Sequence, residues 1–160
     1  MNKSTESINS LYGNRVRLRV CGIHIHNNKI LLVKHTGIGT TGIFWAPPGG
    51  GINLGESLLT GLKREVKEET NLDAHGEELL FVHEFIQAPL HAIEIFFKIE
   101  THNVNFAVGM DPEHSEQIIE DVKYFSEKEI YQSNLEEFHQ IFTLSRSFNE
   151  LLTIKGYLRG

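Results

Sequence analysis

The sequence predicts an α/β fold, a mixed sheet flanked by helices, on three observations. Apolar and polar residues alternate from Arg15 to Val20 and return as a second strand after Asn27-Asn28. An amphipathic helix fits Leu58 to Thr70. Two strand-like runs rich in β-branched and aromatic residues, Leu79 to Ile86 and Leu90 to Ile99, follow that helix as an antiparallel pair. A chain of 160 residues is long enough for one sizeable core, so a single domain is expected over residues 15–160. Residues 1–14 are polar and aperiodic and read as an N-terminal arm.

In the first strand Val16, Leu18 and Val20 share one face, which the alternation predicts to be half-buried. The strand runs on to His26; Asn27-Asn28 then turns the chain, because Asn tolerates left-handed backbone, and Lys29 to Lys34 returns as the hairpin partner. Residues 36–55 are dense in glycine and include Pro47-Pro48, so a long structured loop is expected. Residues 102–116 read as loop and Ile118 to Phe125 as a further strand. Ser126 with Glu129 three residues on is a capping box, which starts a short helix. Phe138, Ile141, Phe142, Phe148, Leu151 and Leu152 recur at three- and four-residue spacing, as in one C-terminal helix packed on the sheet.

Composition excludes several classes. Fifteen Lys+Arg against 21 Asp+Glu leave a net charge of −6, which argues against a broad basic surface for a nucleic-acid duplex. No apolar run approaches the ~20 residues of a membrane span, and the first residues lack a signal-peptide stretch, so a cytoplasmic protein without a membrane partner is expected. One cysteine, Cys21, rules out an internal disulfide and multi-cysteine zinc sites and reads as a small core residue.

The helix carries the chemistry. With Glu65 at zero and 100° per residue, Leu58, Leu62, Val66 and Leu59 fall at roughly 20°, 60°, 100° and 120°, and Glu69 at about 40°, inside that arc. Glu68 lies at about −60° and Gly61 at about −40°, which leaves the edge unobstructed. Glutamates on a helix ordinarily form a solvated face; here Glu65 and Glu69 point where helix meets sheet. Crowded carboxylates repel one another, and partial burial worsens this unless cations compensate. Mg²⁺ favours such oxygen ligands, commonly one or two carboxylates plus substrate phosphates. The preceding Trp45-Ala46-Pro47-Pro48-Gly49-Gly50-Gly51 is a tight turn whose glycines allow close backbone approach near the helix start.

The spacing Gly50-x5-Glu56-x7-Arg64-Glu65-Val66-x-Glu68-Glu69-x-Asn71-Leu72 resembles the box of the Nudix (MutT-like) hydrolase family over 23 residues. It departs only at Asn71, where the family pattern has Gly; Asn is the usual substitute at a left-handed helix cap. The resemblance implies an α/β/α sandwich with a central mixed sheet, and Mg²⁺-dependent (or Mn²⁺-dependent) hydrolysis of a nucleoside diphosphate linked to another moiety. By motif position Glu65, Glu68 and Glu69 would be metal ligands, Glu56 and Arg64 would pair to brace the loop, and Gly49, Gly50 and Gly51 would form the phosphate loop. A further carboxylate is common in the family on the loop before the late strand; Glu113, Glu116 and Glu120 are the candidates, with Glu116 preferred.

Gly37-Ile38-Gly39-Thr40-Thr41-Gly42 matches a dinucleotide fingerprint, yet Pro47-Pro48 arrives where the required helix should be. A loop near the substrate mouth is expected instead. His24 and His26 share a strand face without a third ligand at a recognisable spacing and read as sheet-surface histidines. Pro89 stands at roughly the distance from the box where family members acting on ADP-ribose carry a proline, though its ordinary role is a turn. The expected partner is a nucleotide-type small molecule (a nucleotide sugar, ADP-ribose-like compound or (d)NTP), and a homodimer is admitted. The alternative is a catalytically silent domain of the same fold that senses nucleotides or binds protein; the intact glutamates count against it.

Overall fold

The computed structural model describes residues 10, 12–109 and 119–160. Among these residues nine strands form two sheets. The first, mixed, has the order β5 (Gly49–Gly51), β1 (Arg15–Ile23), β7 (Leu90–Thr101), β6 (Ala74–Gln87) and β9 (Gly156–Arg159). Its β1–β7 and β6–β9 pairs are parallel, the other two antiparallel. The second sheet centres on β3 (Lys29–Thr36), flanked by β2 (Ile25–His26), β4 (Ile43–Ala46) and β8 (Ile119–Ser126), all antiparallel.

β3 shows why the layers stack. Ile30, Leu31, Leu32 and Val33 are all fully buried, an unbroken apolar run covered on both faces. Leu31 and Val33 pack with Leu62 and Val66 of helix α1 (Leu58–Thr70). Ile30 and Leu32 pack with Phe138, Ile141, Phe142, Phe148 and Leu151 from the C-terminal segment. Helix, sheets, helices is the expected α/β/α sandwich. Full burial of Leu62 and Val66 contributes about 1.5–3 kcal/mol each.

α1 spans the predicted residues. Ser57 caps it, its hydroxyl accepting the Thr60 N–H at 3.2 Å. Asn71 ends it at φ 59°, ψ 16°, the left-handed cap its position required. Beyond the cap, Ala107 N and Gly109 N donate to the Thr70 and Glu69 carbonyls, satisfying groups the helix end leaves open. The hairpin turn is as expected, Asn27 and Asn28 standing at φ 49° and 59°, but only Ile25–His26 pairs with Lys29–Ile30 across it; the strand breaks at His24 and β1 joins the other sheet. The capping box forms at α2 (Glu127–Tyr131).

Several expectations are corrected. Residues 36–55 contain β4 and β5 between their turns; a Gly-Gly-Gly strand has no propensity of its own and exists because β1 pairs with it, Cys21 opposite Gly49. The C-terminal stripe is not one helix. It divides into a 3₁₀ turn (Leu135–Glu137), α3 (Ile141–Leu144) and α4 (Phe148–Thr153), because Ser145 and Ser147 are extended and Ser147 starts a new cap by accepting from Glu150 N. β9 follows unanticipated. Val16 and Leu18 are exposed, while Arg17 and Arg19 on the opposite face of β1 line a cavity; the alternation is right and the buried face is reversed over this stretch. Leu59 is likewise exposed, and the buried stripe of α1 is shifted toward Glu65 and Glu69.

Candidate active site

The buried stripe of α1 contains Gly61, Leu62, Glu65, Val66, Glu69 and Thr70, so two carboxylates enter the interior on one helix edge. Glu65 is 7% exposed and Glu69 4%. β5 receives them. Gly49 N donates to Glu69 Oε2 at 2.8 Å. The Glu65 carboxylate fills the space where a Cβ on Gly50 would stand, 2.4 Å from its Cδ. Gly61 gives similar room to Ile52 and to Glu56, whose Oε2 would lie 3.0 Å from a Cβ there.

Arg64 ties loop to helix. Its Nε and Nη2 donate to the two Glu56 oxygens at 2.8 and 2.9 Å, and Nη2 also to Gly51 O at 2.9 Å. Nη1 donates to Glu65 Oε1 at 2.6 Å and Glu68 Oε2 at 3.1 Å. Asn53 N donates to Glu56 Oε2, closing the loop. The fork of Arg64 bonds, helped by Asn53 N–H, pulls the Glu56 carboxyl down to about 2. The expected Glu56–Arg64 brace is therefore present as a bidentate pair.

Above the carboxylates opens a cavity of about 590 Å³, in the range of small-molecule sites. Gly49, Gly50, Glu65 and Glu69 line one end; Phe44, Phe85 and Phe138 give it aromatic wall. The Gly37–Gly42 turn contributes Ile38, Gly39 and Thr40 to the cavity lining. Pro89 lies in the exposed β6–β7 turn, its carbonyl accepting from Asn14 N, while neighbouring Gln87 and Leu90 line the cavity. Cys21 is buried beside the cavity, and burial pushes its thiol up.

Of the further carboxylates, Glu113 and Glu116 lie outside the described residues. Glu120 is the second residue of β8, its side chain 55% exposed and paired to Lys34, and is not among the residues lining the cavity. His24 is buried against Ile99 O and Thr101 rather than on a sheet surface, whereas His26 is exposed. Sequence reasoning missed a second polar group in the cavity wall, Arg19, Glu94 and His139, with His83 buried behind Glu94. His83 and Glu94 are cross-strand partners on β6 and β7, and His139 arrives from the C-terminal segment, its N–H held by Trp45 O. No spacing rule connects such positions. The one available signal was the Arg17/Arg19 alternation, read for its apolar face.

A NUDIX domain family model matches residues 15–144. The chain belongs to the Nudix family. An ADP-ribose pyrophosphatase of Methanocaldococcus jannaschii is 34% identical over 99 residues, 61% of this chain and 58% of that relative, so the match spans little more than half the relative's length. Among solved structures, a Nudix hydrolase from Nitrosomonas europaea superposes with a TM-score of 0.63 at 21% identity, covering 90% of this chain and 79% of that one. An ADP-ribose pyrophosphatase from Streptococcus suis 89-1591 gives 0.60 at 17% identity, covering 88% and 98%. These share the fold. No helix among the described residues is long and apolar enough to cross a membrane.

Nudix hydrolases generally use a divalent cation, and the donor set here fits one. Glu56, Glu65 and Glu68 gather around Arg64 and Glu69 stands against Gly49, an excess of negative charge made of hard oxygen donors. Glu65 and Glu69 are held by partners that still leave the pair facing the cavity. Glu68, with its side chain 29% exposed, stands on the same edge.

Proposed function

We propose that this chain is a Mg²⁺- or Mn²⁺-dependent pyrophosphohydrolase that cleaves the diphosphate linkage of a nucleoside diphosphate derivative. The observation that carries the reading is the carboxylate edge of α1 packed against Gly49 and Gly50 at one end of a cavity large enough for such a substrate. Glu65, Glu68 and Glu69 would hold the cation, which when bound polarises phosphoryl oxygens and lowers the pKa of a water. The chain's own residues supply placement. Arg64 uses the Glu56 fork and the Gly51 carbonyl to hold the helix edge at a fixed distance from the glycine strand. The absence of side chains at Gly49–Gly51 lets a phosphate approach the backbone. The aromatic wall offers a flat face for a nucleobase. ADP-ribose is the first substrate to try, because the Methanocaldococcus jannaschii relative is an ADP-ribose pyrophosphatase.

The test is a phosphate-release screen of ADP-ribose, nucleotide sugars, dinucleoside polyphosphates, NADH and (d)NTPs with Mg²⁺ and Mn²⁺, product phosphates being liberated by a phosphatase. Turnover of at least one compound, abolished by a chelator, is expected. No metal-dependent product at high enzyme concentration would instead support the silent nucleotide-sensing or protein-binding domain.

A further inference from the structure

The site contains two half-buried arginines whose hydrogen bonding differs. Arg64 makes five hydrogen bonds with its five N–H groups, to Glu56, Glu65, Glu68 and Gly51. It has no donor left for a ligand. Arg19 sits on β1 opposite Gly51 and lines the cavity, its side chain 25% exposed. Among the described residues it makes one hydrogen bond, Nη2 to Gly49 O at 3.2 Å, and its buried Nε has no acceptor. Arg17, two residues before it, is laid over the Tyr12 ring at 3.7 Å.

Arg19 is aimed from behind by Glu94, whose Oε1 stands 3.9 Å from its Nε. Glu94 is 4% exposed and is itself held by two imidazoles: its Oε2 accepts from His83 Nδ1 at 3.0 Å and from His139 Nε2 at 2.9 Å. The Ile141 N–H donates to His139 Nδ1, which leaves that ring's proton on Nε2, facing Glu94. Burial would push the Glu94 carboxyl up; His139, His83 and Arg19 outweigh it and hold it well below the usual carboxylate range. His83, Glu94 and His139 bring their ligand atoms within 4.8 Å of one another, the pattern of a two-histidine, one-carboxylate metal site. The tautomer argues otherwise. A cation on His139 Nε2 would have to displace the proton that Ile141 fixes there, beside the charge of Arg19.

We propose that Arg19 contacts an anionic oxygen of the substrate diphosphate beside the Glu65 and Glu69 carboxylates, and that Glu94, fixed by His83 and His139, is the positioning residue that aims it. This rests on the hydrolase reading above and adds to the cation a contact of the chain's own with the substrate. A guanidinium presents paired donors to a phosphate, which a lysine at this position would not.

The test measures calorimetric binding of α,β-methylene-ADP, a non-cleavable nucleoside diphosphate, in Mg²⁺, beside kcat and KM for the best substrate of the screen. Arg19→Gln is expected to weaken binding about 10- to 100-fold, the size of one or two charge-assisted hydrogen bonds, with Arg19→Lys recovering only part. Glu94→Gln keeps the shape and both imidazole bonds; it should raise KM about 10-fold with kcat changed less. The decisive readout is the Arg19→Gln/Glu94→Gln double variant, which should bind as weakly as Arg19→Gln alone, because Glu94 acts through Arg19. Additive losses would mean that Glu94 only supports the fold, and unchanged binding in Arg19→Gln would remove Arg19 from the site while leaving the hydrolase reading intact. Stoichiometric Co²⁺ binding lost in His139→Gln would overturn the positioning role in favour of a metal site. Wild-type protein that neither binds nor cleaves any compound would overturn both readings.

Discussion

Gly50→Ala places a single methyl group against the carboxylate on which the proposed chemistry depends. The added Cβ would stand 2.4 Å from Glu65 Cδ and Oε2 and 2.6 Å from Oε1. Ordinary contacts between such atoms begin near ~3.5 Å, so Glu65 must retreat by about 1 Å. Gly50 is not at positive φ, so the alanine meets no backbone penalty and the cost is contact alone. Glu65 cannot retreat freely: Arg64 Nη1 holds its Oε1 at 2.6 Å and is itself tied to Glu56 and Gly51. Overpacking of this kind costs about 1–3 kcal/mol, which lowers Tm by about 2–12 °C for a chain of this size. A ligand misplaced by about 1 Å should cost on the order of 10²-fold in kcat/KM and raise the Mg²⁺ concentration needed for half-maximal activity. Scanning calorimetry and a Mg²⁺ titration of turnover measure both effects. Melting within about 1 °C of the parent together with turnover within about threefold would refute the packing of Glu65 on Gly50 and with it the proposed metal seat.

Three further outcomes are expected. Asn71→Gly should be neutral or slightly stabilising and Asn71→Val should cost on the order of 1 kcal/mol, since Asn71 stands at φ 59°; equal melting of the valine variant and parent would contradict the cap. The folded Glu56 carboxyl is held at about 2 against an ordinary 4.5, so its contribution to stability is complete above about pH 4.5 and lost as pH falls toward 2. Denaturant melts of Glu56→Gln should therefore differ from the parent at neutral pH and converge with it toward pH 2; a gap that stays constant with pH would show that the carboxylate's charge is not what stabilises the brace. Glu68→Gln should lower metal-dependent turnover by at least about 10²-fold while shifting Tm little, because this carboxylate is partly exposed and makes one 3.1 Å bond to Arg64; a large Tm loss with turnover kept would make Glu68 structural.

The sequence exposed what local chemistry decides. Leu58 to Thr70, its Asn71 stop, the Asn27-Asn28 turn and the Ser126 box depend on neighbours a few positions apart, and all stand where spacing put them. The Glu56–Arg64 pair was legible only as a family position, and the structure shows the fork. What stayed hidden depends on distant partners. Gly49–Gly51 becomes a strand because β1 lies beside it, and β9 because β6 does. The C-terminal apolar residues were rightly placed in the core, but two extended serines break the helix their spacing suggested. Arg19 and Glu94 were invisible as a pair because parallel pairing of β1 and β7 joins positions far apart in the chain.

That pairing also governs when function can appear during refolding. The β2–β3 hairpin, α1 and the β6–β7 hairpin close over short stretches of chain and can form early. The longest pairing of β1 must await β7, since Arg15 pairs with Leu90 and Ile23 with Lys98 across the whole intervening chain. Because β1 holds Gly49–Gly51 on one side and Glu94 on the other, the cavity wall is completed only by this late closure. A refolding chain would therefore regain its helical signal before its ability to bind a diphosphate, and the interval between the two would time the docking of one strand.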